Sequence, residues 1–389
     1  MHIDKDIHEA MLRWRHHLHA HPEIAFNEHD TAAYVASALR DMGLDPVCGL
    51  AGTGIVATLS NGQGPTIGLR ADMDALPVCE ATGAAYASTR PGMMHACGHD
   101  GHMATLLGAA MHLTRTRAFA GTVRFIFQPA EENEVGARKM LAEGFFKRFP
   151  CDAVYGLHNW PGVKEGVFAV NPGPMMASMD IFEIRVIGKG CHAAIPEGGI
   201  DPFIPAAQIV LGLHAIPGRR ISPLDSAVVS VTQMHGGDTW NVLPDEVVLR
   251  GGVRTLSPTV QDAVEAAIRE VATNTAQAYG ARAEIHYERR YLPVINTPAE
   301  ADLAARAARA VVGEDRVVTN IRPTMASEDF SYFLRERPGA YVWLGPDGKT
   351  PSAPLHNPHY DYNDSLLHLG CAYWVTLVGM ALPQEQTDS

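Results

Sequence analysis

The sequence predicts an α/β fold: a mostly parallel sheet with helices on both faces, plus an inserted ferredoxin-like α+β module. Three observations carry that reading. Strand-like and helix-like segments alternate up to about residue 178; from roughly 179 to 290 the order becomes strand, helix, strand, strand, helix, strand; and polar residues stand where strands of the first part finish. The expected division is residues 1–178 and 291–389 as one domain and 179–290 as the insertion. At 389 residues and 46% hydrophobic, the chain is long enough to bury two cores.

Taken in order, Thr66-Ile67-Gly68-Leu69-Arg70 is a short strand running into Asp72-Met73-Asp74. Met103, Leu106, Leu107 and Ala110 recur at helical spacing, so Gly101 to Leu113 is a helix entered by a loop that holds Cys97 and His99. Thr122 to Phe127 is β-rich and stops at Pro129, delivering Glu131 and Glu132 just past its end; Val154 to Leu157 does the same for His158. In open parallel sheets the binding crevice lies outside the carboxyl ends of the strands, where these loops would converge. In the insertion, Phe182, Ile184 and Val186 alternate with Glu183 and Arg185, the mark of a half-buried strand, and a helix from about Pro202 to Leu213 follows. Ser226 to Met234 and Glu246 to Arg254 are the middle strands. Ser257-Pro258, an N-cap followed by proline, opens the second helix, and Ala283 to Tyr287 closes the unit. Afterwards come a helix from Pro298 to Val312, a strand from Ala340 to Leu344 and the loop holding His356.

A net charge of −12 without long like-charge runs argues against nucleic-acid and anionic-membrane surfaces and points to a small-molecule partner. Met1-His2-Ile3-Asp4-Lys5-Asp6 is not a basic start leading into an apolar core, and no run of eighteen apolar residues occurs; a cytoplasmic protein is expected. Cys48, Cys79, Cys97, Cys151, Cys191 and Cys371 show no disulfide-framework spacing. Only Cys97 has neighbours that would keep a thiolate, because a coordinating metal deprotonates a thiol.

Those neighbours are dense. Met94-His95-Ala96-Cys97-Gly98-His99-Asp100-Gly101-His102 packs a thiol, three imidazoles and a carboxylate into nine residues, and Glu131-Glu132 follows about thirty residues later. A thiolate and an imidazole separated by one glycine can bend onto one centre, since Gly98 has no Cβ to block a tight loop, and borderline-soft metals favour sulfur and nitrogen donors. Of two adjacent glutamates, one can close a coordination shell while the other serves as general base.

Eight motifs in chain order make the sequence resemble the two-metal amidohydrolase and aminoacylase group that includes hippurate hydrolases, indole-acetyl-amino-acid hydrolases and N-acyl-amino-acid deacetylases. They are Leu18-His19-Ala20-His21-Pro22-Glu23, Arg70-Ala71-Asp72-Met73-Asp74-Ala75-Leu76-Pro77, His95 to His102, Gln128-Pro129-Ala130-Glu131-Glu132, Gly156-Leu157-His158-Asn159-Trp160-Pro161, Gly188-Lys189-Gly190-Cys191-His192-Ala193-Ala194, Asn241-Val242-Leu243-Pro244 and Leu355-His356-Asn357. The resemblance implies metal ligands at Cys97, His99, Glu132, His158 and His356, with Cys97 bridging two ions. Such ions, roughly 3.5–4 Å apart, share a water and polarise a carbonyl. It implies Glu131 as the base acting on that water and as the proton donor to the leaving amine. The insertion becomes a lid and dimerisation domain whose His192 reaches a partner subunit's site and stabilises an oxyanion; a homodimer or dimer-based oligomer follows. Zinc is the expected metal, with manganese, cobalt or nickel as alternatives for a mixed donor set.

Asp72 and Asp74 have two readings, carboxylates that orient a ligand from behind or loop caps. Asn241 and Arg254 either hold the substrate amide and carboxylate or serve as turn residues. His95 and His102 are read as hydrogen-bonding side chains. Where the group often has glycine and histidine, this chain has Cys191 and Glu197, changes beside His192 that bear on substrate range. Met93-Met94 and Met175-Met176 are read chiefly as packing residues. The expected activity is metal-dependent hydrolysis of the amide of N-acyl-L-amino acids, hippurate-like compounds first. The alternatives are a carboxypeptidase or dipeptidase using the same site, or a non-catalytic protein that binds a metal or an amino-acid conjugate.

Overall fold

The computed structural model describes residues 3–132, 135–349 and 352–384. The chain divides into two compact units, one of Met1–Gly173, Ile295–Arg322 and Asp329–Ser389, the other of Pro174–Val294 and Pro323–Glu328.

The larger unit begins with helices α1 (Lys5–Ala20) and α2 (His29–Asp41), continues through β1 (Val47–Leu50), β2 (Gly54–Asn61) and β3 (Thr66–Asp72), and reaches α3 (His99–Thr116). Strands β4 (Gly121–Gln128), β5 (Ala153–Asn159) and β6 (Phe168–Ala169) follow before the chain enters the smaller unit. There β7 (Met179–Ile187) and β8 (Cys191–His192) precede α4 (Phe203–Arg219), β9 (Ala227–His235), β10 (Val242–Leu243), β11 (Glu246–Thr255), α5 (Pro258–Ala278) and β12 (Arg282–Tyr291). On its return the chain forms α6 (Pro298–Val312), β13 (Val317–Val318), β14 (Gly339–Leu344) and α7 (Leu366–Ala381).

Among the described residues the larger unit holds an eight-stranded sheet in the order β1-β2-β4-β3-β5-β14-β6-β13. Its centre, β4-β3-β5-β14, is parallel, and antiparallel pairs flank it. The central strands read as apolar runs because both faces are covered. Leu69, Phe125, Phe127, Tyr155 and Val342 pack with Leu106, Leu107 and Leu113 of α3 and Trp374 and Leu377 of α7 in one core. Register decides where the chemistry sits. Asp72 pairs with Gln128, Arg70 with Gly156 and His158 with Trp343, so the carboxyl ends of β3, β4, β5 and β14 finish at one level.

The smaller unit is a four-stranded antiparallel sheet, β9-β11-β7-β12, with α4 and α5 packed together. Ile184, Val186, Val247 and Leu249 share its core with Ile209, Leu213, Val264 and Ile268. Its order of strand, helix, strand, strand, helix, strand is the one expected. A two-stranded ladder, β10-β8, stands apart from that sheet. One local expectation fails: Ser257 precedes α5 in extended conformation, but its hydroxyl makes no capping bond. Pro258 at the first helical position has no N–H to satisfy and a preset φ, and it opens the helix without that bond.

Candidate metal centre

The loop between β3 and α3 turns at Gly98. Its φ of +91° lies in the left-handed region, and a Cβ there would stand 2.3 Å from Asn159 Oδ1 and 2.6 Å from the Tyr360 hydroxyl. Only glycine fits, and the sharp turn carries Cys97 and His99 toward the same space. His99 is not in the loop, as expected from the sequence, but is the first residue of α3. The amides of Gly101 and His102 already donate to the Gly98 carbonyl, so the helix starts two residues earlier than its apolar spacing signals. His158 likewise lies within β5 rather than past its end, paired with Trp343.

Asp74 holds the paired glutamates. One carboxylate oxygen accepts the Glu131 amide at 2.9 Å and the other the Glu132 amide at 2.8 Å. Just before them Ala130 has φ +54°, uncommon for a residue with a Cβ, and its amide is tied to Glu28 Oε1 at 2.8 Å. The other Glu28 oxygen accepts the Thr53 hydroxyl. Burial, then the nearby Asp74 charge, pushes the Glu28 carboxyl above its ordinary range. A left-handed φ recurs at His356, +66°. Left-handed backbone thus occurs on both loops, as it also does at Phe26, Ala51, Arg117 and Val135.

Two of the three imidazoles are aimed from behind. His99 Nδ1–H donates to the Asp74 carbonyl at 2.8 Å, and His158 Nδ1–H to the Asn159 carbonyl at 2.6 Å, which turns both Nε2 atoms inward. His158 Nε2 lies 3.6 Å from Cys97 Sγ, and His356 Nε2 lies 3.1 Å from Glu132 Oε1. Cys97, Glu132 and His356 offer ligand atoms within 4.8 Å of one another; so do His99, Glu131 and Glu132, and so do Asp72, His99, His102 and His158. The structure therefore gathers all five expected ligands, with Glu131 among them.

The donors fit divalent cations. His99 Nε2 is buried with no hydrogen-bond partner among the described residues, which is costly unless something completes it. Burial, followed by the Glu132 and Glu131 charges, pushes the Cys97 thiol up. Burial opposes charge on His99, yet Asp72 and Asp74 outweigh it and raise the ring to about 10. Burial, with His102 beside it, pushes His158 down. A thiol, carboxylates and imidazoles held this close call for positive charge between them, and the mixture of S, N and O donors is one that zinc and its neighbours accept.

Behind the ligands, Asp72 and His102 are joined by Arg70, Asn159 and Tyr360, to which no role was assigned from the sequence. Arg70 donates through Nη1 to Asp72 (2.6 Å), through Nη2 to Asp329 (3.2 Å) and through Nε to Gln128 (2.9 Å). His102 uses Nδ1 on Asp72 and Nε2 on Asn159, each at 2.6 Å, so both ring nitrogens are engaged, as the hydrogen-bonding reading requires. Asn159 in turn donates to Tyr360. Arg70, Asp72 and Asp74 sit at i, i+2 and i+4, one face of an extended segment. Three charges on one face at the end of an apolar strand were the signal available. One turn away, the fully buried Arg15 meets Asp100 at 3.2 Å, and Asp100 accepts His19 Nδ1 at 2.9 Å. His95 departs from the hydrogen-bonding reading: it is buried with both ring nitrogens unpartnered among the described residues, and burial lowers it to about 4.

In the smaller unit, β8 and β10 place His192 opposite Val242, and the Asn241 carbonyl accepts the Ala193 amide at 2.9 Å, so His192 and Asn241 are neighbours. The His192 ring is exposed, and its Nδ1 accepts the Ala194 amide at 3.1 Å. That bond fixes the tautomer with the proton on Nε2, directed outward as a donor. Arg254 lies elsewhere, near the end of β11, donating to the Ser327 hydroxyl. Cys191 is half-buried on β8 and Glu197 is exposed in the turn that follows.

A family model described as peptidase family M20/M25/M40 matches residues 68–379. The chain is 39% identical over 382 residues to an N-acetylcysteine deacetylase of Bacillus subtilis (strain 168), covering 97% of this chain and 98% of that protein. It is 37% identical over 373 residues to a hippurate hydrolase of Campylobacter jejuni, covering 96% of each. Among solved structures it resembles a dinuclear metal binding peptidase from Bacillus subtilis with a TM-score of 0.86 at 36% identity, over 97% of this chain and 99% of that one.

Proposed function

The chain belongs to peptidase family M20/M25/M40 and is a metal-dependent amide hydrolase, and from that premise we propose that it cleaves N-acyl-L-amino acids, hippurate-like compounds among them, into a carboxylic acid and a free amino acid. The observation that carries the proposal is the gathering of Cys97, His99, Glu132, His158 and His356, with Glu131 held beside them by the Asp74 clamp on its backbone. The deacetylase and hippurate hydrolase relatives support the acylated amino acid as substrate.

In this reading Cys97, His99, Glu132, His158 and His356 would hold two divalent cations. Such ions supply Lewis acidity toward the amide carbonyl and toward water. Zinc suits the thiolate and imidazoles, with manganese, cobalt or nickel able to replace it. Glu131 removes a proton from the attacking water and returns it to the amine nitrogen as the C–N bond breaks. Asp74 fixes the Glu131-Glu132 backbone and, through its own carbonyl, the His99 ring; Asp72 is held between Arg70 and His102 behind the ligands. His192 donates Nε2–H to the oxygen that becomes negative in the transition state, in the site of a partner subunit. Asn241 and Arg254 take the substrate's amide and carboxylate.

A homodimer is part of the proposal. Strand β9 is a sheet edge with exposed Val228 and Met234, and α4 exposes Ile204 and Leu211; open edges and apolar surface of this kind are what a second subunit covers. Six free thiols suit a reducing compartment, and we place the protein in the cytoplasm.

A panel of N-acyl-amino acids and dipeptides, offered to protein loaded with Zn²⁺, Mn²⁺ or Co²⁺, tests the substrate. Acyl-amino acids are expected to be hydrolysed with the higher kcat/KM. Preferred cleavage of dipeptides would make it a peptidase, and no cleavage of either class would leave a binding protein. His192→Ala is expected to keep its metal and lose about a hundred- to a thousandfold in kcat. Rates within fivefold of wild type would remove the oxyanion role.

A further inference from the structure

The ladder that presents His192 also presents an apolar surface. Trp240 is fully exposed, at 102% of its reference area, and Ile195 and Val242 are about half exposed at 53% and 48%. All three are tied to His192 through the backbone. Val242 is its partner across the ladder, the Ile195 amide donates to the His192 carbonyl at 2.8 Å, and Trp240 precedes Asn241, whose carbonyl holds Ala193. The loop that displays the indole has its own supports. Gly237 turns it at φ +74°, a Cβ on Gly236 would meet Val247 at 2.8 Å, and the Thr239 hydroxyl donates to Asn241 Oδ1 at 3.3 Å.

An indole is the largest apolar side chain, has few rotatable bonds, and is seldom left in water without purpose. Trp240 and Asn241 form the turn that leads into β10, whose first residue, Val242, stands opposite His192. The indole is thus carried on the same ladder and turn that present the histidine. An N-acyl amino acid has two ends at the carbonyl that the histidine serves. The amino-acid end carries a carboxylate and asks for polar or cationic partners. The acyl end is uncharged, and Trp240, Ile195 and Val242 offer no charge.

We propose that Trp240 is a specificity-determining residue, its indole forming with Ile195 and Val242 the wall that receives a bulky apolar or aromatic acyl group next to the carbonyl attended by His192. The assignment rests on the amide-hydrolase reading above and names the substrate class within it: aroyl and other large acyl groups in preference to acetyl. The indole is covered by substrate, not by a second copy of the chain.

The test compares kcat/KM for N-benzoylglycine and N-acetylglycine in wild type, Trp240→Ala and Trp240→Phe, with metal content and molecular mass measured on each. In Trp240→Ala the benzoyl-to-acetyl ratio is expected to fall on the order of tenfold, mainly through KM, and Trp240→Phe is expected to restore most of it. An unchanged ratio overturns the proposal, whether both rates hold or both fall; a fall in both accompanied by lost dimer would show the indole packed on another subunit. A second reading needs no turnover. Indole emission on adding N-benzoylglycine should shift to shorter wavelength in wild type and much less in Trp240→Phe, and equal shifts sink the assignment. If wild type hydrolyses neither compound while emission still reports Trp240, the N-acyl-amino-acid substrate proposed above fails and the acyl-binding surface stands.

Discussion

Glu131→Gln is expected to retain the metal content of wild type and to lose roughly a thousandfold or more in kcat. The substitution keeps the size of the side chain and an oxygen that can accept the Asp329 amide, which lies 3.4 Å from Glu131 Oε1. It removes the ability to take a proton. Metal retention follows from the way the neighbouring ligand is held: Asp74 grips the backbone amides of residues 131 and 132, not their side chains, so exchanging one carboxylate for an amide leaves Glu132 in place. The two quantities separate a base from a ligand. Elemental analysis reporting lost metal would make Glu131 a ligand, and turnover within tenfold of wild type would falsify its role as the base.

The residues of this centre differ in how openly the sequence displays them. Cys97, His99 and the glutamate pair are local, and their chemistry can be read from adjacent letters. His158 and His356 are single histidines far along the chain, among 19. The strand end after Val154 to Leu157 marks His158 as a residue at the crevice, but its role as a ligand, like the whole case for His356, entered through resemblance to a known group. The register of β3, β5 and β14 is what brings the strand end at His158 level with Asp72. The parallel centre of the sheet was legible from the alternation of strands and helices, whereas its antiparallel flanks were not, because β1, β6 and β13 are four, two and two residues long, too short to carry a hydrophobic pattern. Helix α7 is apolar nearly all round and gives no helical period; it is buried between other elements rather than amphipathic. Buried charge was the least visible part. Arg15, Arg70 and Asp100 are residue types expected at the surface, and only their mutual pairing inside the fold explains their burial.

Cys97→Ala is expected to reduce bound metal from two ions per chain to one or none and to abolish turnover, with the fold retained. The thiol lies 3.6 Å from His158 Nε2 and within 4.8 Å of ligand atoms of Glu132 and His356, so it links donors from β5, from the loop after β4 and from the loop at 356. Its neighbours on the other side are anionic. Without a thiolate to share, two cations would need another anion between them, and Glu131 or a solvent hydroxide would have to serve. Cys97→Asp supplies an anion whose oxygens stand one bond farther from the backbone than the sulfur, and it is expected to hold more metal than Cys97→Ala, a ranking that a purely steric role for the sulfur would not produce. Far-ultraviolet circular dichroism should match wild type in both variants, since a buried Cys-to-Ala change removes one small group from a site already walled by Leu76, Met94 and Tyr360. Two equivalents of metal on the folded alanine variant would show that position 97 does not join the ions.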